Sequence, residues 1–136
     1  MGVRGLLAEA RGAAAIEFAF VVPVFLLLLI GTLAYGGYFW RAHALQQIAN
    51  DAARAALPGL TAGERRELAT AAVIAELPAV AGLNAALTTT AVSESGGALV
   101  VALAYDGTRD AFLNLGPMPM PNRTIRRVAA VRLGGL

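Results

Sequence analysis

The longest uninterrupted pattern in the chain is a run of uncharged, mostly apolar residues from Phe18 to Trp40. Its 23 residues would form a helix of roughly 34 Å, which can cross a hydrocarbon core of about 30 Å. Pro23 removes one backbone hydrogen bond inside the run and predicts a helix kink. The far end is rich in aromatic side chains, as at a lipid headgroup boundary: Tyr35, Tyr38, Phe39 and Trp40. The pattern predicts one membrane helix that leaves the bilayer near Trp40.

A helical rhythm continues beyond this run and then restarts after a break. Residues 41–57 carry apolar positions at three- and four-residue steps, which predicts that the membrane helix extends into a stalk. Pro58 and Gly59 end it, and Thr61 with Glu64 has the spacing of a capping box. We therefore expect a second helix from about Ala62 to Leu77. Its predicted inner face is Leu68, Ala71, Ala72, Ala75 and Leu77.

The last third of the chain changes to a period of two, which is typical of strands. Residues 87–105 predict a β-hairpin that turns at Gly96-Gly97 and places Leu99, Val101, Leu103 and Tyr105 on one face. A third strand is predicted in TIRRVAAVRL, after an extended, proline-rich loop GPMPMPN. The predicted fold class is α+β, with a small antiparallel sheet of about three strands. The predicted organisation is a leader (1–12), a transmembrane helix and stalk (13–57) and an extracytoplasmic head (58–136).

Charge predicts the orientation of the chain in the membrane. The near flank carries Arg4 and Arg11 against Glu9, and such a basic flank is retained in the cytoplasm. The head is therefore expected outside.

A cleaved secretory signal is the first alternative, but its apolar region is normally about 7–15 residues long and ends in small residues. The net charge is only +2 without a clustered basic stripe, so no nucleic acid is expected as a partner.

Glu17 stands at the head of the apolar run, where an isolated carboxylate is costly. It could lie at the membrane boundary and reach water. A proton relay would need further polar partners inside the membrane, and the run offers none. A third interpretation depends on the preceding leader, which ends in Gly12, continues with the small residue Ala13, and reaches Glu17 and Phe18 at the mouth of the run.

This arrangement resembles the prepilin signal of type IV pilins. The wider stretch, residues 11–56, is similar to the TadE-like family of minor pilin-like proteins of the Tad/Flp pilus. The resemblance implies cleavage by a prepilin peptidase between Gly12 and Ala13, and residence in the bacterial inner membrane with a periplasmic head. It also implies partnership with other pilin or pilin-like subunits and the Tad assembly platform, with incorporation into an extracellular pilus for adhesion as a further expectation.

Cleavage at this place would have a physical consequence for Glu17. The new ammonium at Ala13 would lie four residues before it, near the same face of the helix. Pairing of Glu17 with the amine of a neighbouring subunit would add little net stability but would set axial register. The chain departs from the pattern of type IV pilins in two ways. Many type IV pilins carry Phe where this chain has Ala13, and the chain is longer than a major Flp pilin. Glu17 and Phe18 are thus candidate assembly-register residues of a minor subunit.

No enzyme signature occurs in the sequence: there is no Ser-His-Asp set, HExxH, CxxC or phosphate-binding glycine loop. We expect no catalytic residue, no cofactor, no metal and no small-molecule substrate. The single histidine, His43, is interpreted as an interfacial side chain, and Asp106 and Asp110 as solvated turn residues.

Arginines near the C-terminus have two interpretations. Arg123, Arg126 and Arg127 could protect a strand edge from aggregation, or they could contact an acidic partner surface.

The main alternative function is an unprocessed single-pass envelope protein with a ligand-binding or sensing outer domain. A weaker one is a secreted binding domain released by signal peptidase.

Overall fold

A single long helix dominates the computed structural model, which describes residues 3–116 and 118–134. Helix α1 spans Val3–Ala55, so its 53 residues extend for about 80 Å. Residues 3–12 are part of this helix, and α1 continues through Pro23. The kink at Pro23 remains a prediction. The predicted continuation of the membrane helix into a stalk is confirmed.

Helix α2, Ala62–Glu76, begins at the predicted capping box. The Thr61 hydroxyl accepts a hydrogen bond from the Glu64 backbone N–H at 3.2 Å, and the Glu64 carboxylate accepts one from the Thr61 N–H at 3.2 Å. These bonds satisfy donors that a helix start leaves free. A short 3₁₀ helix, Leu77–Ala79, follows directly and contains Pro78.

The predicted inner face of α2 is right for Leu77 but wrong by about one position along the rest of the helix. The buried residues are Ala69, Val73 and Leu77, whereas Leu68 is 40% exposed. Ala71 and Ala75 are also exposed, and Ala72 packs at the margin of the core. Apolar residues occur on more than one face of this helix, so its periodicity does not select the face that packs against α1.

The three strands are those predicted from the sequence. Strand β1 is Thr88–Ser95, β2 is Ala98–Asp106 and β3 is Thr124–Arg132, in the antiparallel order β1-β2-β3. Gly96 and Gly97 have φ angles of 58° and 72°, the left-handed geometry that a tight two-residue hairpin turn requires. Short 3₁₀ helices, Ala85–Leu87 and Gly107–Arg109, flank the hairpin.

One face of the sheet packs against the stalk part of α1 and forms the core with α2. The inner residues of β2 alternate with outer ones, as period two requires. The largest fully buried side chains are Tyr105, Leu45, Ile48, Leu99, Leu103, Ile125, Val73 and Val101. The α+β fold class is confirmed: a long apolar N-terminal helix, a second helix and a three-stranded antiparallel sheet.

Candidate functional site

The predicted processing point lies within α1. Gly12 is exposed, and a Cβ atom built on it would meet no heavy atom of the described residues within 4 Å, apart from its chain neighbours and the backbone of its own helix. The side chain of Ala13 lies outside the described residues. Since the backbone here is helical, Ala13 precedes Glu17 by about one turn.

Glu17 and Phe18 are both exposed on the surface of α1. The helix around them is apolar on every side, which is typical of a helix surrounded by lipid or by protein and not by water. The exposed large side chains of this stretch are Ile16, Phe18, Phe20, Val21, Val24, Phe25, Leu26, Leu27, Leu28, Leu29 and Ile30. Its length and hydropathy allow it to cross a membrane. We conclude that α1 is a single-pass membrane anchor.

The head contacts the anchor closer to the N-terminus than the aromatic pattern predicts. Met118 Sδ lies 3.4 Å from the position of a Cβ on Gly31, and the Tyr35 hydroxyl donates a hydrogen bond to the Pro119 carbonyl at 2.5 Å. Tyr38 is buried in the head. The four aromatic residues therefore do not form one lipid-facing group: only Phe39 and Trp40 expose more than half of their surface.

A buried ion pair joins the anchor to the head just beyond the apolar run. Arg41 Nε donates to Asp110 Oδ2 at 2.8 Å and Nη2 to Oδ1 at 3.3 Å. Their side chains are only 8% and 7% exposed. The prediction of a solvated turn is therefore wrong for Asp110, because the turn directs this carboxylate into the head against α1. Asp106 does act as a turn residue and accepts a hydrogen bond from the Thr108 N–H at 3.0 Å.

The Asp110 carboxylate accepts hydrogen bonds from three parts of the chain. Besides Arg41, the Tyr105 hydroxyl donates to its Oδ2, and the Phe112 N–H donates to Oδ1 at 2.9 Å. Burial raises the pKa of Tyr105, and the hydrogen bond to Asp110 raises it further. The Arg41 guanidinium also stacks 4.9 Å from the centre of the Phe112 ring. Among the described residues, every buried side-chain nitrogen and oxygen has a hydrogen-bond partner.

The model of the family described as TadE-like protein matches residues 12–54. This segment is TadE-like. The match agrees with the resemblance found in the sequence and is confined to the anchor and the stalk part of α1. No curated protein and no solved structure matches the chain.

The TadE-like segment contains Arg41 but not its partner, which lies 69 positions later. Sequence reasoning missed this pair. One usable signal was the spacing: Arg41 follows Tyr38 by three residues and precedes Leu45 by four, so it falls on the buried stripe of α1. The network acts as a joint between α1 and the head. The described residues also hold no group of three or more metal-ligating side chains.

The C-terminal arginines separate into two kinds. Arg127 Nε donates to the Ala42 carbonyl of the TadE-like segment at 3.1 Å, so this side chain helps to fix β3 on α1. Arg123 and Arg126 are exposed. Partner contact through Arg123, Arg126 and Arg127 stays a prediction.

Proposed function

We propose that this chain is a minor pilin-like subunit, matured by a prepilin peptidase between Gly12 and Ala13 and required to assemble or initiate a Tad/Flp-type pilus. The observation that carries the proposal is the TadE-like match, which begins at Gly12 and includes Glu17 on an apolar helix. Its partners would be the membrane, the peptidase, other pilin or pilin-like subunits and the Tad assembly platform.

The proposed mechanism uses the new N-terminus as a charge. Cleavage would leave an ammonium on Ala13, about one helical turn from Glu17. When such helices pack side by side, the Glu17 carboxylate of one subunit can bind the ammonium of another. An unpaired charge in an apolar bundle is costly, so only registers that pair both groups are stable. The exposed apolar surface between Ile16 and Ile30 would supply the packing.

The proposed location follows from the charge flanking the anchor. The N-terminus would lie in the cytoplasm and the head in the periplasm of a bacterial inner membrane, because basic residues before the run favour retention. From there the subunit could enter an extracellular pilus used in adhesion and surface colonisation. The exposed Arg123 and Arg126 would offer a contact to an acidic surface of another component.

The deciding experiment is the intact mass and N-terminal peptide of the protein from its native membrane, with and without the prepilin peptidase of the host. We expect a chain that begins at Ala13 only when the peptidase is present. Gly12→Ala should block cleavage without disturbing the helix, since the added methyl meets no described side chain within 4 Å. Gly36→Ala is the matched control, because its methyl would also meet nothing within 4 Å, and it should leave cleavage unchanged.

Glu17→Gln then tests the register mechanism separately. The variant should be cleaved and inserted normally but should fail to support pilus formation, since the neutral amide cannot pair with an ammonium as a carboxylate does. If the leader stays on the chain in both strains, maturation is refuted, and an unprocessed envelope protein with a sensing or ligand-binding head becomes the better account.

A further inference from the structure

One loop of the head lies alongside the apolar part of the anchor helix. This apolar loop, residues 111–121, has the sequence AFLNLGPMPMP, and all of it but Pro117 is described. Its contacts with α1 occur at Ile30, Gly31, Tyr35 and Gly37. All four positions fall within the uncharged run of residues 18–40.

The length of the anchor determines how deep these contacts lie. If Glu17 stands at one boundary of the hydrocarbon core, a core of about 30 Å extends over about 20 helical residues and reaches the level of Gly37. Ile30 would then lie about 10 Å below the opposite boundary. Tilting the helix lengthens the stretch inside the core and takes the contacts deeper. Either the apolar loop or the Glu17 carboxylate must therefore enter lipid.

The side chains of the loop favour the first of these arrangements. Residues 111–122 include no charged residue. Phe112 is 37% exposed and Leu115 is 56% exposed, and the neighbouring helix surface presents Leu33 at 59% exposure. Transfer of such surface from water to lipid is favourable, whereas transfer of a carboxylate is costly.

The backbone of the loop is also suited to an environment without water. Three of its last five residues are prolines, which have no N–H to leave unsatisfied. The Pro119 carbonyl accepts the Tyr35 hydroxyl. The backbone N–H groups of Phe112 and Asn114 donate to Asp110 at 2.9 and 3.2 Å, and that of Leu115 donates to the Phe112 carbonyl at 3.3 Å. The loop therefore satisfies much of its polar backbone internally.

We propose that the apolar loop is a second membrane-contacting element, which seats Phe112 and Leu115 among the lipids of the leaflet on the side of the head. The continuity of the loop with the lipid-facing surface of the anchor identifies a phospholipid bilayer as its partner. Arg109 and Arg123 are exposed at its two ends and can reach headgroup phosphates. The inference depends on the single-pass anchor and is independent of leader cleavage.

Cysteine labelling tests the depth of the loop, because the chain has no native cysteine. The variants Leu115→Cys, Leu33→Cys and Leu60→Cys are compared in the full chain, with one chain in each phospholipid nanodisc so that no other protein can shield them. Leu60 is 88% exposed at the turn before α2 and is the water-facing control, and Leu33 is the lipid-facing one. A membrane-impermeant maleimide should label Leu115→Cys at least about tenfold more slowly than Leu60→Cys, because thiolate formation needs water.

A tryptophan reporter separates lipid contact from shielding by the protein itself. Trp40 is the sole tryptophan, so Trp40→Phe with Leu115→Trp gives one reporter at the loop. Lipids brominated on the acyl chains should quench it strongly, and the matched Trp40→Phe with Leu60→Trp should not be quenched. Labelling of Leu115→Cys at the rate of Leu60→Cys, or absence of quenching at Leu115→Trp, would overturn the proposal. Complete and equal labelling of all three cysteines after unfolding in detergent shows that the rates report position.

Discussion

The guanidinium of Arg41 and the carboxylate of Asp110 join the end of the membrane run to the head through two hydrogen bonds, 2.8 and 3.3 Å long. The pair is almost fully withdrawn from solvent, and Tyr105 and the backbone of the apolar loop complete its hydrogen bonding. Such a joint fixes the position of the head on the anchor.

Removing one charge of this pair should strongly lower the stability of the head. Asp110→Asn keeps an acceptor for the Phe112 N–H but leaves the Arg41 charge buried, and we expect a loss of about 3–5 kcal/mol in the free energy of unfolding. The double variant Arg41→Met with Asp110→Asn should recover part of that loss. Unfolding of the full chain in detergent, followed by near-ultraviolet circular dichroism, measures both. Asp51→Asn is the control, since the Asp51–Arg54 contact is 3.9 Å long and largely exposed. Equal effects of Asp51→Asn and Asp110→Asn would contradict this role.

Two adjacent glycines provide a matched test of how closely the apolar loop packs on the anchor. A Cβ on Gly37 would overlap the Phe112 ring, whereas a Cβ on Gly36 would meet nothing within 4 Å. Gly37→Ala should therefore displace Phe112 from the Arg41 guanidinium and cost about 1–3 kcal/mol of stability. Gly36→Ala should be neutral or stabilising by up to about 1 kcal/mol through helix propensity. Unfolding midpoints of the two variants in the same detergent decide the matter, and similar midpoints would count against close packing of the loop.

Local signals explain why most of the fold could be predicted from the sequence. The capping box at Thr61 and the Gly96-Gly97 turn involve residues that are close in the chain, and the alternation in β2 reports burial directly. The prediction of the packing face of α2 was wrong because that face depends on which surface of α1 is available. That choice is made by contacts between distant residues, and the periodicity of α2 does not contain it.

The candidate site divides in the same way. The order of Gly12, Glu17 and the apolar run is contiguous, and the TadE-like match found the same segment. The Arg41–Asp110 pair and the hydrogen bond from Tyr35 to Pro119 join positions 69 and 84 residues apart. Composition suggested that the aromatic residues end the membrane run together, but the fold uses Tyr38 in the head core. Sequence reasoning therefore placed the anchor but not the joint.

The Tyr105 hydroxyl should make the head sensitive to alkali. Burial and Asp110 raise the pKa of Tyr105 above its ordinary value of 10.0, so the folded state retains a proton that the unfolded chain releases. The corresponding stability is present below about pH 10 and is lost as the pH rises toward the higher pKa of the folded state. The chain has neither lysine nor cysteine, which leaves few other groups to titrate there.

Tyr105→Phe should flatten this alkaline decline while costing about 1.5–3 kcal/mol at neutral pH through the lost bond to a charged acceptor. Unfolding midpoints of the full chain between pH 8 and 11 measure the slope. Tyr35→Phe retains Tyr105 and serves as the control, so its slope should match that of the parent protein. An unchanged slope in Tyr105→Phe would assign the alkaline loss to another group.

Two glutamates of the head should respond to acid in opposite directions. Arg65 binds the Glu94 carboxylate through two hydrogen bonds, 2.7 and 3.0 Å long, and lowers its pKa below the ordinary value of 4.5. Stability from this contact is present above about pH 4.5 and is lost as the pH falls through the lower pKa of the folded state. Burial, followed by the nearby charge of Asp51, raises the pKa of Glu76, so its ionisation destabilises the fold as the pH rises above 4.5.

At pH 7, therefore, Glu94→Gln should lower the unfolding midpoint and Glu76→Gln should raise it, although the two substitutions are chemically identical. Both differences from the parent protein should shrink as the pH falls through the interval between the folded and the unfolded pKa of each carboxyl, because below both values the parent side chain is neutral as well. Midpoints of the full chain between pH 3 and 7 test the pair, with each variant serving as the control for the other. Shifts of the same sign at pH 7 would mean that the substitutions act through packing or helix propensity and not through the charges of Arg65 and Asp51.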